Sequence, residues 1–264
     1  MPVLITQDLN IYYEITGKGS PLLLIHGLGS STRDWESQVK FLSKHFKVIA
    51  FDVRGHGKTG KPPGSYSVSM FAKDTANLIR ALDISPVHAA GISMGGMIAF
   101  QLGIDAPELV KSLSIINSGP ELILRTPAER ALFFQRKLIV RIMGMKFMGK
   151  ILAHRLLPEP GQKLLHSVFI KRWSENDKKT YMASLNAIIG WSISDKIASI
   201  KCPVHIIASD MDYTPVSYKK SYMEKLQNAE ITIIKNSRHL SPGDQPAQVN
   251  YALIKCMNLK LSKT

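Results

Sequence analysis

Short, continuous apolar runs alternate along the first half of the chain with longer stretches whose apolar residues recur at helical spacing. Leu9–Ile15 alternates in part and reads as a strand. Pro21–Ile25 (PLLLI), Lys47–Phe51 (KVIAF), Val87–Ile92 (VHAAGI) and Ser112–Ile116 (SLSII) are apolar runs of strand length. Between them, Arg33–Phe46, Ser69–Leu82 and Met94–Ile104 carry helical periodicity. In the first of these, Trp35, Val39, Phe41, Leu42 and Phe46 are predicted to be buried. The rhythm resumes late in the chain, with strands over Val204–Ala208 and Ile231–Ile234, a helix over Ser217–Leu226 and a closing helix over Ala247–Leu259. Uninterrupted apolar strands separated by helices belong to a parallel sheet covered on both faces. The predicted class is therefore α/β.

From about Gly119 to Ile200 the rhythm breaks. Helical periodicity continues, strand signals are few, and Pro127, Pro158 and Pro160 punctuate the segment. We expect a core built from residues 1–118 and 201–264, with a helical cap inserted over 119–200. Such a cap would cover the carboxyl edge of the sheet, where open α/β sheets bind ligands. A length of 264 residues suits one domain carrying such an insertion.

Charge adds to this picture at one place. The net charge is +14, and the stretch Arg130–Arg172 holds ten Lys or Arg against Glu159 as its one acid. Basic residues recur there every four or five positions with apolar residues between them, the pattern of a basic amphipathic helix. One reading lays the apolar face over a pocket and the basic face in water. The other brings the basic face to an anionic membrane or an acidic substrate. Phe133, Phe134, Met143, Met145, Phe147, Met148 and Trp173 are expected mainly to pack the cap, a few of them lining an apolar pocket. No zinc-finger or RNP spacing supports a nucleic-acid partner. Cys202 and Cys256 are too few for a disulfide framework and read as small packed thiols. Neither a secretory leader nor a run of about 18 apolar residues is seen, so the expected compartment is the cytoplasm.

The chemistry-bearing residues fall at predicted strand ends. Gly91-Ile92-Ser93-Met94-Gly95 follows a strand and opens a helix, the context in which G-x-S-x-G presents a nucleophilic serine. Small neighbours allow the tight turn, and the following helix amino terminus favours a developing oxyanion. Acyl transfer needs two donors for that oxygen. The N–H groups of Met94 and of Leu28, in the His26-Gly27-Leu28-Gly29 loop, are the candidates. Serine also needs a base with a pKa near neutrality and a carboxylate to orient it. His239 follows one late strand; Asp210 and Asp212 follow the strand before it. Asp212, two residues further from its strand end, can turn toward the histidine loop, while Asp210 is better placed to brace the turn. His26 is expected to brace its loop. No ligand cluster for a metal and no cofactor motif is found, and none is expected.

Together these motifs resemble the α/β-hydrolase superfamily through nearly the whole chain. His26-Gly27-Leu28-Gly29 with Trp35 is similar to its oxyanion loop, Asp52-Val53-Arg54-Gly55-His56-Gly57 to its D-x-R-G-x-G turn, and Gly91–Gly96 to its nucleophile elbow. Ser209-Asp210-Met211-Asp212 is similar to its acid turn, with Ser209 where glycine is usual and Pro215 one residue early. His239 with Asp244-Gln245-Pro246 resembles its histidine loop. The resemblance implies a mostly parallel eight-stranded sheet, a Ser93–Asp212–His239 triad, and hydrolysis of a carboxylic ester, thioester or lactone of an apolar small molecule. Carbon–carbon bond hydrolysis, cofactor-free haloperoxidase-like chemistry and a slow-turnover, receptor-like binder are the alternatives it leaves. Ser93 argues against the epoxide hydrolases and haloalkane dehalogenases, which carry aspartate there. Leu240, where carbon–carbon hydrolases usually show tryptophan, counts against that alternative.

Overall fold

The computed structural model describes residues 3–6 and 9–257. The chain begins with β1 (Val3–Ile5), β2 (Asn10–Thr16) and β3 (Pro21–Ile25). A 3-10 turn over Thr32–Trp35 leads into α1 (Glu36–Leu42) and β4 (Lys47–Phe51). Then come α2 (Val68–Ala81), β5 (Val87–Ile92), α3 (Met94–Asp105) and β6 (Val110–Ile116). Three helices follow: α4 (Pro127–Leu156), α5 (Lys163–Ser174) and α6 (Lys178–Ile188). The chain then returns through β7 (Val204–Ser209), α7 (Val216–Met223), β8 (Ala229–Ile234), α8 (Ser241–Asp244) and α9 (Pro246–Cys256).

The eight strands form one sheet in the order β1-β2-β4-β3-β5-β6-β7-β8. β1 and β2 are antiparallel to their neighbours; β3 to β8 are all parallel. Because side chains alternate along a strand, each parallel strand feeds two cores. Leu23 and Ile25 of β3 pack on one face with Phe71, Ile79, Ile98 and Phe100 of α2 and α3. Leu22 and Leu24 pack on the other with Trp35 and Leu42, and with Val249 and Leu253 of α9. Burial on both sides explains why these strands read as unbroken apolar runs.

Two differences from the sequence reading concern the first helix and the edge. The periodicity over Arg33–Phe46 is split between the 3-10 turn and α1, which stops at Leu42; Phe46 is buried from the following loop, and Val39 and Phe41 are only half-buried. β1 escaped prediction because three residues at an exposed edge carry no periodicity. The predicted end of the closing helix at Leu259 lies outside the described residues.

The three helices α4, α5 and α6 occupy the segment between β6 and β7. α4 opens with a capping box, in which Thr126 accepts from the Glu129 amide while Glu129 accepts from the Thr126 amide. It bends at Gly144, whose φ of 79° suits a residue without Cβ. Met145, Met148 and Trp173 are buried, as expected of core residues. Phe134, Met143 and Phe147 are not: they are 68%, 51% and 37% exposed. α4 packs on α5 and α6 along one side, so its other side faces outward whatever its residue type. No helix among the described residues is long and apolar enough to cross a membrane.

Candidate active site

Ser93 sits between the end of β5 and the first turn of α3, with φ 54° and ψ −119°. A non-glycine residue at positive φ is strained, and this geometry holds only because its surroundings fix it. Side chains at Gly91 or Gly95 would overlap backbone: a Cβ at Gly91 would strike the Gly95 carbonyl, and one at Gly95 would strike the Ile25 carbonyl. The elbow is thus pressed against the end of β3. A Cβ placed on Gly27 would lie 3.5 Å from that of Ser93, so the loop carrying Leu28 runs directly beside the serine. Met94 is the first residue of α3, and its N–H has no acceptor within its own helix. The Ser118 hydroxyl donates to the Ser93 carbonyl at 2.7 Å and anchors the turn from below.

The imidazole and carboxylate arrive from the ends of β8 and β7. His239 Nδ1 lies 2.8 Å from Asp212 Oδ1. Since the carboxylate can only accept, Nδ1 carries the proton and Nε2 is left as the acceptor. The Asp212 side chain is fully buried, and that of His239 nearly so. Asp210 does not reach the histidine. Its carboxylate accepts from the Asn236 and Ser237 amides at 3.1 and 3.2 Å, which ties the β7 turn to the histidine loop. The structure therefore brings Ser93, Asp212 and His239 to one edge of the sheet and sets Asp210 to bracing.

Asp212 is held by more than its histidine. Oδ1 also accepts from the Tyr213 amide at 2.8 Å. Oδ2 accepts from the Thr214 hydroxyl and from Lys219 Nζ, both at 2.6 Å. Lys219, from α7, is completely buried, and its remaining protons go to the Thr214 carbonyl and hydroxyl at 2.6 and 2.8 Å. Burial alone pushes the Asp212 carboxyl up, but the hydrogen bonds and charges of His239 and Lys219 outweigh it and hold the group at about 2. The same burial pulls the Lys219 ammonium below its ordinary value, opposed by Asp212.

Asn117, directly after β6, ties the strand ends together. Its Nδ2 donates to the His239 carbonyl at 3.0 Å and the Ser209 hydroxyl at 2.8 Å, and its Oδ1 accepts from the Ser209 amide at 2.8 Å. It adopts φ 45°, which asparagine tolerates better than most residues. At the other flank, His26 Nε2 accepts from the Val53 amide at 2.9 Å and Nδ1 lies 2.8 Å from the Gly27 carbonyl. Burial pulls its pKa down to about 4, so it is a neutral brace of the loop that carries Leu28.

Tyr213, Lys219 and Asn117 were not singled out in the sequence. Tyr213 is the most consequential. Its hydroxyl lies 2.5 Å from His239 Nε2, within hydrogen-bonding reach of Ser93, and its ring stacks on the imidazole at 4.1 Å. The residue is 53% exposed, but the desolvation of its hydroxyl against the imidazole and the Asp212 charge raise its pKa, so the hydroxyl stays protonated and donates to Nε2. From α4, the Arg155 guanidinium lies 5.7 Å over the same ring. A cleft of about 310 Å³ opens to one side, between the Gly29–Asp34 loop and Phe169, Arg172 and Trp173; neither Ser93 nor His239 lines it. Among the described residues no group of His, Cys, Asp or Glu is arranged to hold a metal.

A serine on a strained turn, a buried carboxylate–imidazole pair and backbone donors at a helix start form the arrangement of a hydrolase that works through a nucleophile. A profile for the alpha/beta hydrolase fold matches residues 20–135. The chain has the α/β-hydrolase fold and is a hydrolase. It is 25% identical to the (E)-2-((N-methylformamido)methylene)succinate hydrolase of Acinetobacter baylyi, over 94% of each chain. It is also 25% identical to 3-oxoadipate enol-lactonase 2 of the same organism, over 95% of this chain and 94% of that one. The crystal structure of the enol-lactonase from Burkholderia xenovorans has the same fold, with a TM-score of 0.90 over 98% of this chain and all of that one at 20% identity.

Proposed function

We propose that the protein cleaves a carboxylic ester, thioester or lactone of a largely apolar small molecule through an acyl-enzyme. The carrying observation is the 2.8 Å Asp212–His239 contact at the strand ends beside the positive-φ Ser93. Ser93 Oγ attacks the carbonyl carbon as His239 Nε2 takes its proton. Asp212 holds the imidazole in the tautomer that leaves Nε2 free to accept and stabilises the imidazolium. The amides of Leu28 and Met94 receive the charge on the carbonyl oxygen. His239 returns the proton to the leaving alcohol, thiol or enol. Water, deprotonated by the same imidazole, then attacks the acyl-enzyme, and Ser93 recovers its proton as the acid departs. The helices of segment 119–200 form the cap that shapes the acyl pocket. Ester- and lactone-directed relatives support this substrate class, and no step calls on a cofactor.

The test is Ser93→Ala on p-nitrophenyl esters of graded chain length and on simple lactones. The expected loss in kcat is about three to six orders of magnitude, with the fold unchanged. Near-normal turnover by the variant would refute the assignment. A second reading, a ligand binder that turns over slowly, draws on the Tyr213 hydroxyl, which occupies the nitrogen Ser93 needs. Covalent labelling of Ser93 by a fluorophosphonate without turnover of any ester or lactone would favour it.

A further inference from the structure

Eight of the fourteen large hydrophobic side chains exposed among the described residues lie between Leu132 and Leu164. Seven of the eight are on α4. Before the Gly144 bend, Phe134, Leu138 and Ile142 stand four residues apart and so share one stripe, at 68%, 44% and 73% exposure. Beyond the bend, Phe147 and Ile151 form a row, with Lys146, Lys150 and His154 in the row beside it. Arg130, Arg141 and Arg155 are exposed on the same helix, and after Glu129 it carries no acid. A large apolar side chain left in water normally finds a partner, and a run of them on one helix marks an interaction face.

The chemistry of the face selects its partner. A second copy of this chain would have to bring its own row of lysines and arginines against this one, and like charges at close range oppose that pairing. A neutral apolar groove would leave the cations without partners. An anionic lipid surface satisfies both halves, with acyl chains taking the Phe, Leu and Ile side chains and headgroups taking the Lys and Arg. The charge is not already neutralised by other residues along most of this helix. Arg136 turns inward to the Tyr181 hydroxyl and Arg172 of α5 pairs with Asp34 and Glu36, but those two lie off the face described here.

We propose that the outer face of α4 docks the protein on anionic lipid bilayers, lying in the interface rather than crossing it. The proposal does not depend on the triad. It does place the bilayer on the helix whose far end carries Arg155, against the Tyr213 ring.

Vesicle co-sedimentation tests it, with phosphatidylcholine vesicles set against vesicles that also contain phosphatidylglycerol. Phe134→Ser with Ile142→Ser removes the apolar half, and Lys146→Glu with Lys150→Glu reverses the charged half. All four side chains are exposed, so circular dichroism and melting temperature should stay at wild-type values. The wild type is expected to bind phosphatidylglycerol vesicles and to lose that binding as salt rises. Each double variant should bind more weakly by about tenfold or more. Equal binding to neutral and anionic vesicles, or no binding to either, would overturn the proposal. So would binding untouched by the serine variants, which is simple electrostatic adhesion, or light scattering showing that the wild type buries this face by self-association that the serine variants abolish.

Discussion

The imidazole of His239 is gripped from two sides, by Asp212 at Nδ1 and by Tyr213 at Nε2. The second grip competes with the chemistry, since Nε2 cannot accept the proton of Ser93 while the phenol donates to the same lone pair. Tyr213→Phe keeps the ring stack and removes the competing donor. Fluorophosphonate labelling of Ser93 should then run several times faster, and an unchanged rate would show that the phenol leaves Nε2 at no cost. Lys219 acts one step further back, as a positioning residue behind Asp212. Lys219→Met leaves a buried carboxylate with fewer donors, and a lost charge-assisted bond in such a site is worth about 2 kcal/mol. We expect kcat/KM to fall by about ten- to a hundredfold. Its acid limb should move to higher pH, because the cation opposing a positive imidazole is gone. Lys219→Arg should recover part of both effects; a purely structural role would lower stability and leave the pH profile in place.

At the scale of elements, the site is a meeting of strand ends, and Asn117 is the tie between β6, β7 and the histidine loop. Asn117→Ala strips the His239 carbonyl, the Ser209 hydroxyl and the Ser209 amide of a partner and should cost about 2–4 kcal/mol. Hydrogen exchange should quicken in the 236–241 loop before the rest of the sheet, and uniform loss of protection would argue against a local tie. The sequence carries the elements unevenly. Strands such as Pro21–Ile25 and Lys47–Phe51 are legible to the residue, because burial on both faces demands unbroken apolar runs. The positions of Ser93 and His239 at strand ends, and of the Leu28 loop beside the serine, are legible because the motifs around them record steric needs, such as the closeness of Gly95 to the Ile25 carbonyl. Asn117, Tyr213 and Lys219 are not. A polar side chain whose partners lie 92 and 122 positions away, as those of Asn117 do, leaves no local pattern. Lys219 stands in a helix whose neighbours Lys220 and Lys225 are solvated, and nothing in Ser-Tyr-Lys-Lys-Ser says which lysine turns inward. The exposure of Phe134 and Phe147 was hidden for the opposite reason: apolar spacing on α4 looks alike whether the stripe meets a core or a surface.

For the whole molecule, four buried histidines set the response to acid. Burial, the leading cause in each, draws His26 and His88 down to about 4, His56 to about 3, and His205 below its ordinary value. Unfolded, each titrates near 6.5, so between that value and the folded one the unfolded chain binds more protons and stability falls as pH falls. Asp212 acts lower down: its stabilisation, full above its unfolded value of 3.8, is lost as pH drops toward about 2. By pH 5 each of His26 and His56 should cost about 2 kcal/mol. Melting temperature should therefore decline steadily from pH 7 to 5, above the range in which Asp212 titrates, and a flat profile over that range would contradict neutral burial. One last feature bears on how such a molecule changes its substrate. Two of the fastenings between segment 119–200 and the rest of the fold reach the histidine side of the site: Gln162 Nε2 donates to Asp244 of α8 at 2.6 Å, and Arg155 lies over Tyr213. A cap exchanged with that of a relative brings a new pocket but leaves these two fastenings behind unless they travel with it. In this scaffold, altering selectivity and preserving rate are one engineering problem, and the side chains at 155 and 162 are where it has to be solved.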